Sequence, residues 1–329
     1  VIHNAAFEDT LIHLARNNGL GFVELRAANP TLDPWIPGAG AKITLPKQHI
    51  LPEAPRKGLV INLAEMRVYY FKDEGQPPLT YPISIGREGL QTPQGKTSIV
   101  RKKDGPTWRP TVRMREEDPN LPASVPPGPD NPLGTHALYF GWPQYMMHGT
   151  NKPYGIGRRV SSGCMRMYPE DIKALFPLVP VGTPVTVVDQ PVKAGWIDGQ
   201  FYVEVSPNQD QSIGIEEDGV VKSYEITAED MKRITKKAGA QADKINWKII
   251  RKAVQDHRGV PVLAMENNAR ITQKSEAELE VLMEEADIEP QEKAAIKENI
   301  YEETISAEEP KKADNKMSIN TRTNYNLNN

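Results

Sequence analysis

From Gly58 to Tyr168 the chain is built of short β-branched and aromatic segments separated by turns, with no long amphipathic helix. Gly58-Leu59-Val60-Ile61-Asn62-Leu63 and Arg67-Val68-Tyr69-Tyr70-Phe71 read as hairpin strands. Leu79 to Gly86 and Gly95 to Val100 continue the pattern. Such a segment buries its apolar side chains between strands, so a mainly β domain is expected. The first well-marked helix spans Pro169 to Phe176. It has proline at its start and Glu170 and Asp171 in its first turn, both favourable at an N-terminus. Residues 102–134 lack strand periodicity and carry Trp108-Arg109-Pro110 and Pro126-Pro127-Gly128-Pro129. A loop this long inside a compact domain is usually functional, and it is expected to be a lid or substrate wall.

The flanks read differently. Residues 1–46 show strand, helix, helix, strand: Thr10 caps a helix stopped at Gly19, a second short helix halts before Pro30, and Lys42 to Pro46 is a strand. Residues 47–56 hold two prolines, Pro52 and Pro55, and read as a linker. Residues 190–266 read as a small α+β accessory domain. It has strands at 190–196, 200–205 and 212–215, helices starting at Thr227 and near Trp247, and a last strand after Gly259. His257 is expected at a helix end. Residues 267–329 are strongly charged, with two helical candidates and then a Lys-, Asp- and Asn-rich stretch too poor in apolar residues to order itself.

Several functional classes are disfavoured. A net charge of −3 argues against a nucleic-acid partner. There is no phosphate loop, no dinucleotide fingerprint and no zinc-spaced Cys/His cluster. No apolar run approaches the roughly 18 residues of a membrane span, so the mature chain is expected to be soluble. It begins with Val, and removal of a leader, as from a secreted precursor, is expected.

The only cysteine, Cys164, lies in Ser161-Ser162-Gly163-Cys164-Met165-Arg166 and follows His148-Gly149-Thr150-Asn151. A thiol attacks as thiolate, and an imidazole is the usual means of making one near neutral pH. The glycine before the cysteine permits the tight turn that sets a nucleophile beside backbone N–H donors. Cys164 is therefore the expected nucleophile and His148 its base. The N–H groups near Gly163 and Cys164 are the expected oxyanion donors.

These two motifs resemble the signature of the L,D-transpeptidases of the YkuD/ErfK type. The likeness begins near Val60-Ile61-Asn62-Leu63, passes through Thr92-Pro93-Gln94-Gly95 and Asn131-Pro132-Leu133-Gly134, and closes with Gly182-Thr183-Pro184-Val185. Ser162 stands where many members have histidine. The resemblance implies a β-sandwich type catalytic domain over 57–189. It would acylate Cys164 with a peptidoglycan tetrapeptide stem, release D-alanine and pass the acyl group to an amine. It also implies that the Gly149 carbonyl orients His148 and that Arg166 pairs with a stem carboxylate. Ser162 either donates to substrate or holds the turn, and Tyr145 belongs to the pocket wall. Residues 1–46 are similar to a LysM module, with Glu8-Asp9-Thr10-Leu11 in place of that family's Gly-Asp-Thr-Leu, which implies glycan binding. No metal or organic cofactor is implied. The acceptor is either a diaminopimelate amine, giving 3-3 cross-links, or the lysine of an outer-membrane lipoprotein. A Gram-negative periplasmic location and acylation by carbapenems are also implied. Two alternatives stay open: a cysteine carboxypeptidase or amidase on the same scaffold, and a non-catalytic wall-binding protein.

Overall fold

The structure, a computed structural model, describes residues 1–87, 89–217, 224–265 and the pair 320–321. The charged tail read over 267–329 lies outside the described residues, apart from Asn320–Thr321, which pairs antiparallel with Gln48–His49. No helix among the described residues is long and apolar enough to cross a membrane.

The N-terminal unit runs β1 (Ile2–Asn4), α1 (Leu11–Asn18), α2 (Phe22–Ala28) and β2 (Lys42–Thr44). Strands β1 and β2 pair antiparallel, Ile2 opposite Thr44. Thr10 caps α1 by accepting from the His13 N–H, and Gly19 ends it in the left-handed conformation. Leu11, Leu14, Leu20, Leu25 and Ile43 form its core. This unit is not isolated. Phe22 and Val23, at the start of α2, donate their N–H groups to the carbonyls of Ile156 and Gly157 at 3.2 and 3.1 Å. Those donors have no partner within their own helix, so the neighbouring loop caps it. Gly157 has φ +77°, and a Cβ there would lie 2.2 Å from the Gly21 Cα. Only glycine allows that approach.

The central domain contains β3 (Gln48–His49), β4 (Gly58–Asn62), β5 (Arg67–Phe71), β6 (Leu79–Pro82), β7 (Ile85–Gly86), β8 (Gly95–Asp104), α3 (Val112–Glu117), β9 (His136–Phe140), β10 (Met146–His148), β11 (Arg159–Ser161), β12 (Met165–Arg166), α4 (Pro169–Leu175) and β13 (Pro184–Val188). Eight of the strands follow the order β12-β10-β9-β8-β13-β4-β5-β6. Strand β8 pairs with β13 through Gly95–Ser98 and with β9 through Ile99–Asp104, with an irregularity between Ile99 and Arg101. A bulge there lets one long strand serve two sheet halves. The far ends meet where Ser84 and Arg166 exchange backbone hydrogen bonds at 2.9 and 3.1 Å. Leu59, Ile61, Val68, Ile99, Leu138, Met147 and Met165 fill the space between. The stretch expected to lack structure over 102–134 is partly ordered. Strand β8 reaches Asp104, α3 is capped by Thr111, and Trp108 bridges to Val125.

The C-terminal region adds β14 (Val192–Ile197), β15 (Gln200–Val205), α5 (Gln209–Glu217), α6 (Ala228–Ala238), α7 (Trp247–Asp256) and β16 (Val262–Leu263). Strands β14, β15 and β16 form an antiparallel sheet that shares a core with α6 and α7. His257 caps the end of α7. The strand expected at 212–215 is instead part of α5. Asn208 accepts from the Gln211 N–H at 2.8 Å, while Gln211 Oε1 accepts from the Asn208 N–H at 3.0 Å. That reciprocal cap favours helix and outweighs the local β-propensity of Ile213 and Ile215. Ile215 joins the catalytic core.

All three parts converge on a buried polar junction. Arg67, 1% exposed, binds both Glu24 oxygens at 2.8 and 2.7 Å. Lys193 lies directly opposite Glu204 and bonds both it and Glu65. His49, Glu65 and Glu204 come within 4.8 Å of one another, with the Lys193 ammonium supplying the positive charge between the carboxylates. Burial, followed by the Arg67 charge, pushes His49 down to about 3, so it is neutral at pH 7. The connector 47–56 packs here, with His49, Ile50 and Leu51 all buried.

Candidate active site

The registers bring the two sequence motifs onto one sheet face. Met147 pairs with Met165 and His148 with Arg166 in the parallel β10–β12 ladder. Met147, Met165 and Leu138 point into the core. Because side chains alternate along a strand, Met146, His148, Cys164 and Arg166 share the opposite face. That face opens into a cleft of about 770 Å³ that also receives Ser162 and Tyr145. Thr107, Trp108, Arg109, Val112 and Met114, from the segment after β8, form its outer wall. Asn131 anchors that segment by donating to the carbonyls of Pro106, Val125 and Pro126 at 2.7, 3.1 and 3.0 Å.

The turn before Cys164 is held at almost every polar atom. Gly163 has φ +102°, and a Cβ there would stand 3.1 Å from the Tyr145 ring. Its N–H donates to Ser161 Oγ at 3.2 Å, and the Ser161 hydroxyl donates to the Cys164 carbonyl. The Gly163 carbonyl accepts from Thr92 Oγ1 at 2.9 Å, while that same oxygen accepts the Gly86 N–H at 3.3 Å. In a trans peptide the N–H points opposite the carbonyl. Fixing the Gly163 carbonyl on Thr92 therefore aims the Cys164 N–H the other way, and it has no acceptor among the described residues. Of the two expected oxyanion donors, the Gly163 N–H is engaged and the Cys164 N–H is open. Ser161 and Thr92 were not singled out in the sequence as site residues. The only signal for Thr92 was its place in the Thr-Pro-Gln-Gly motif.

His148 is 4% exposed, and its Nδ1 lies 2.6 Å from the Gly149 carbonyl. A carbonyl only accepts, so Nδ1 carries the hydrogen and Nε2 presents a lone pair. Burial, and then the Arg166 charge, push the imidazole down to about 4, against the hydrogen bonds to the Gly149 and Leu133 carbonyls. Burial pushes the Cys164 thiol up; a backbone hydrogen bond at Met146 and then the Arg166 charge oppose it. The thiol donates to the Gln144 carbonyl at 3.4 Å, and Gln144 has φ +70°. At neutral pH Cys164 is thus a thiol and His148 a neutral imidazole. Arg166 is half-buried beside them, and its Nε has no hydrogen-bond partner among the described residues. One face thus gathers groups that acyl transfer through a thioester can use: a thiol, an imidazole with Nε2 presenting a lone pair, an open N–H and a guanidinium.

Residues 56–187 match the YkuD family, described as the L,D-transpeptidase catalytic domain. Two Escherichia coli K12 relatives, named as the probable L,D-transpeptidases ErfK/SrfK and YbiS, are similar to this chain. They are 46% identical over 197 residues and 47% identical over 202. These alignments cover 58% and 59% of this chain, and 63% and 65% of the relatives. The chain thus spans less than two thirds of the length of either. A Fuscovulum blasticum relative named for the same activity is 45% identical over 130 residues, covering 40% of this chain and 68% of that one.

Proposed function

The chain belongs to the YkuD family of L,D-transpeptidase catalytic domains, and from that premise we propose that it is an L,D-transpeptidase of peptidoglycan working through a thioester on Cys164. The observation that carries the reading is the shared sheet face. Cys164, His148 and Arg166 open into one cleft, and His148 is held by the Gly149 carbonyl in the tautomer that accepts a proton at Nε2. The Cys164 sulfur attacks the carbonyl of the third residue of a tetrapeptide stem as its proton passes to His148. The oxyanion meets the Cys164 N–H, one pre-placed donor worth about 3 kcal/mol in the transition state. His148 then protonates the departing D-alanine amine and the thioester remains. An incoming amine attacks it, loses a proton to His148 and expels the thiolate, which is reprotonated. Arg166 pairs with a stem carboxylate, Tyr145 walls the cleft and Ser162 lines its floor.

The N-terminal βααβ unit is proposed as a LysM-like glycan-binding module that brings the wall to the cleft. Glu8 in place of glycine is its departure from that pattern. The site of action is proposed as the periplasm, and the acceptor as a diaminopimelate amine or a lipoprotein lysine. Carbapenems are the expected acylating inhibitors. Incubation with disaccharide-tetrapeptide muropeptides, read by mass spectrometry beside Cys164→Ala, tests the reading. Cross-linked dimers lacking one D-alanine, absent in the variant, are expected. Tripeptide alone would point to hydrolysis or to a missing acceptor, which adding a lysine-terminated lipoprotein peptide decides, and unchanged substrate would leave only wall binding.

A further inference from the structure

One end of the cleft carries positive charge alone. Arg101 and Lys103 of β8, Arg109 of the following segment and Arg113 of α3 line it, and no Asp or Glu does. The chain as a whole has more acidic than basic residues, 43 against 40, so this is no reflection of composition. Among the described residues, Arg101, Lys103 and Arg109 make no ion pair, whereas Arg113 pairs with Glu117. The Arg101 guanidinium lies 3.6 Å from the centroid of the Tyr139 ring, a stacking that fixes the fork and leaves its N–H edge for a ligand.

Strand register places these cations relative to the chemistry. Lys103 pairs with Ala137, Ala137 with His148, and His148 with Arg166. Arg101 pairs with Tyr139, and Tyr139 with Met146, the neighbour of Cys164. Across the sheet the order is therefore nucleophile on the β12 side, base on β10, then β9, then the cations on β8. At about 4.8 Å per strand, Lys103 is two strands, or ~10 Å, from the base, and Arg101 is three, or ~14 Å, from Cys164. The base serves the amine side of the bond, first protonating the leaving amine and then deprotonating the incoming one. The β8 cations lie beyond the base, so they face what is attached to the amine and not the acyl stem.

We infer that Arg101 and Lys103, with Arg109 over them, form an acceptor subsite that selects an amine whose own residue carries a free carboxylate. The inference rests on the transpeptidase reading. Both the D-centre of diaminopimelate and a C-terminal lysine have this chemistry. The step is unchanged: the amine forms the amide, its proton goes to His148, and the C–S bond breaks. The cations fix where the amine sits.

The test separates the half-reactions. Thioester is formed on Cys164 from disaccharide-tetrapeptide whose diaminopimelate amine is acetylated, excess donor is removed, and loss of the adduct on adding acceptor is followed by intact mass. The acceptors are a diaminopimelate tripeptide and a lysine-terminated peptide, each with a free carboxylate or as the carboxamide. In Arg101→Gln/Lys103→Gln the acceptor concentration for half-maximal resolution should rise at least about tenfold for a free-carboxylate acceptor, as loss of charged hydrogen bonds implies. It should not change for its carboxamide. Thioester formation should slow only through the leaving D-alanine, whose carboxylate lies on the same side, so acylation by a donor ending in D-alaninamide should stay within about twofold. Whichever free-carboxylate acceptor shows the dependence is the source recognised. Equal use of acid and carboxamide by the unsubstituted protein would overturn the inference, as would slower thioester formation with unchanged resolution. Absence of any thioester in the unsubstituted protein would instead strike the transpeptidase reading.

Discussion

Replacing Glu24 by leucine asks whether the N-terminal unit and the catalytic sheet fold as one body. Arg67 is 1% exposed, and its Nη2 donates to both Glu24 oxygens and, at 3.2 Å, to the Gly19 carbonyl. Its Nη1 reaches Thr80 Oγ1 at 3.3 Å, and its Nε has no hydrogen-bond partner among the described residues. Without Glu24 the guanidinium stays buried, its remaining hydrogen-bond acceptors neutral and Glu65 the carboxylate left to act on it. Removing one partner of such a pair costs about 3–5 kcal/mol. For a cooperative unit of this size each kcal/mol lowers Tm by about 2–4 °C, so Glu24→Leu should lower it by about 6–20 °C. Glu24→Leu with Arg67→Met removes both charges and should recover part of the loss, because an apolar pair of similar volume has no desolvation to offset, while the Gly21 N–H that Glu24 caps at 2.8 Å stays without its acceptor. Scanning calorimetry of the four proteins completes the double-mutant cycle. A Tm drop below about 2 °C for Glu24→Leu would refute the reasoning. So would a separate early transition with the main one unmoved, since the two units would then melt independently.

Thr92→Val should leave the Gly163 carbonyl and the Gly86 N–H without their partner and loosen the plane that aims the Cys164 N–H. Thioester formation should slow about tenfold or more with little change in KM, and Thr92→Ser should restore most of it; a pure KM effect would contradict this. Alkylation of Cys164 by iodoacetamide should accelerate steadily as pH rises through 7 to 9, because burial holds the thiol up. A rate already flat from pH 5 would mean a preformed thiolate–imidazolium pair. His148 at about 4 and His49 at about 3 are both depressed from 6.5, so between those values the unfolded chain binds more protons than the folded one. Stability should therefore be fully present above pH 6.5 and fall on acidification, by ~1.4 kcal/mol per pH unit for each histidine. Denaturant titrations from pH 7 to 4.5 should show a shallower fall in His148→Gln by that single-proton slope; an identical slope would refute the assignment.

The sequence carried the catalytic strands and the motif pair because both signals are local. Gly58 to Asn62 and Arg67 to Phe71 are short β-branched and aromatic runs bounded by turns, as fully buried strands are, and Gly163-Cys164 announces a tight turn. The bulge in β8 was not legible, since its cause is a change of partner from β13 to β9. Neither were the roles of Ser161 and Thr92: a hydroxyl's partner is set by which backbone arrives, here Gly163 across 71 positions for Thr92. Residues 209–217 carried the needed signal in Asn208 and Gln211, but the isoleucines suggested a strand. The Glu24–Arg67 and Lys193–Glu65 contacts join segments far apart in sequence, and no local pattern marks them. The face relation of Arg101 and Lys103 to Cys164 likewise needs the registers of four strands.

The most direct test of the central claim is the intact mass of the protein after incubation with disaccharide-tetrapeptide whose diaminopimelate amine is acetylated, so that no acceptor is present. The account expects an adduct equal to the donor less D-alanine, mapped by peptide digestion to Cys164 and lost in Cys164→Ala. It should form much more slowly in His148→Ala. Release of D-alanine with no adduct on Cys164, or the same adduct in Cys164→Ala, would contradict it.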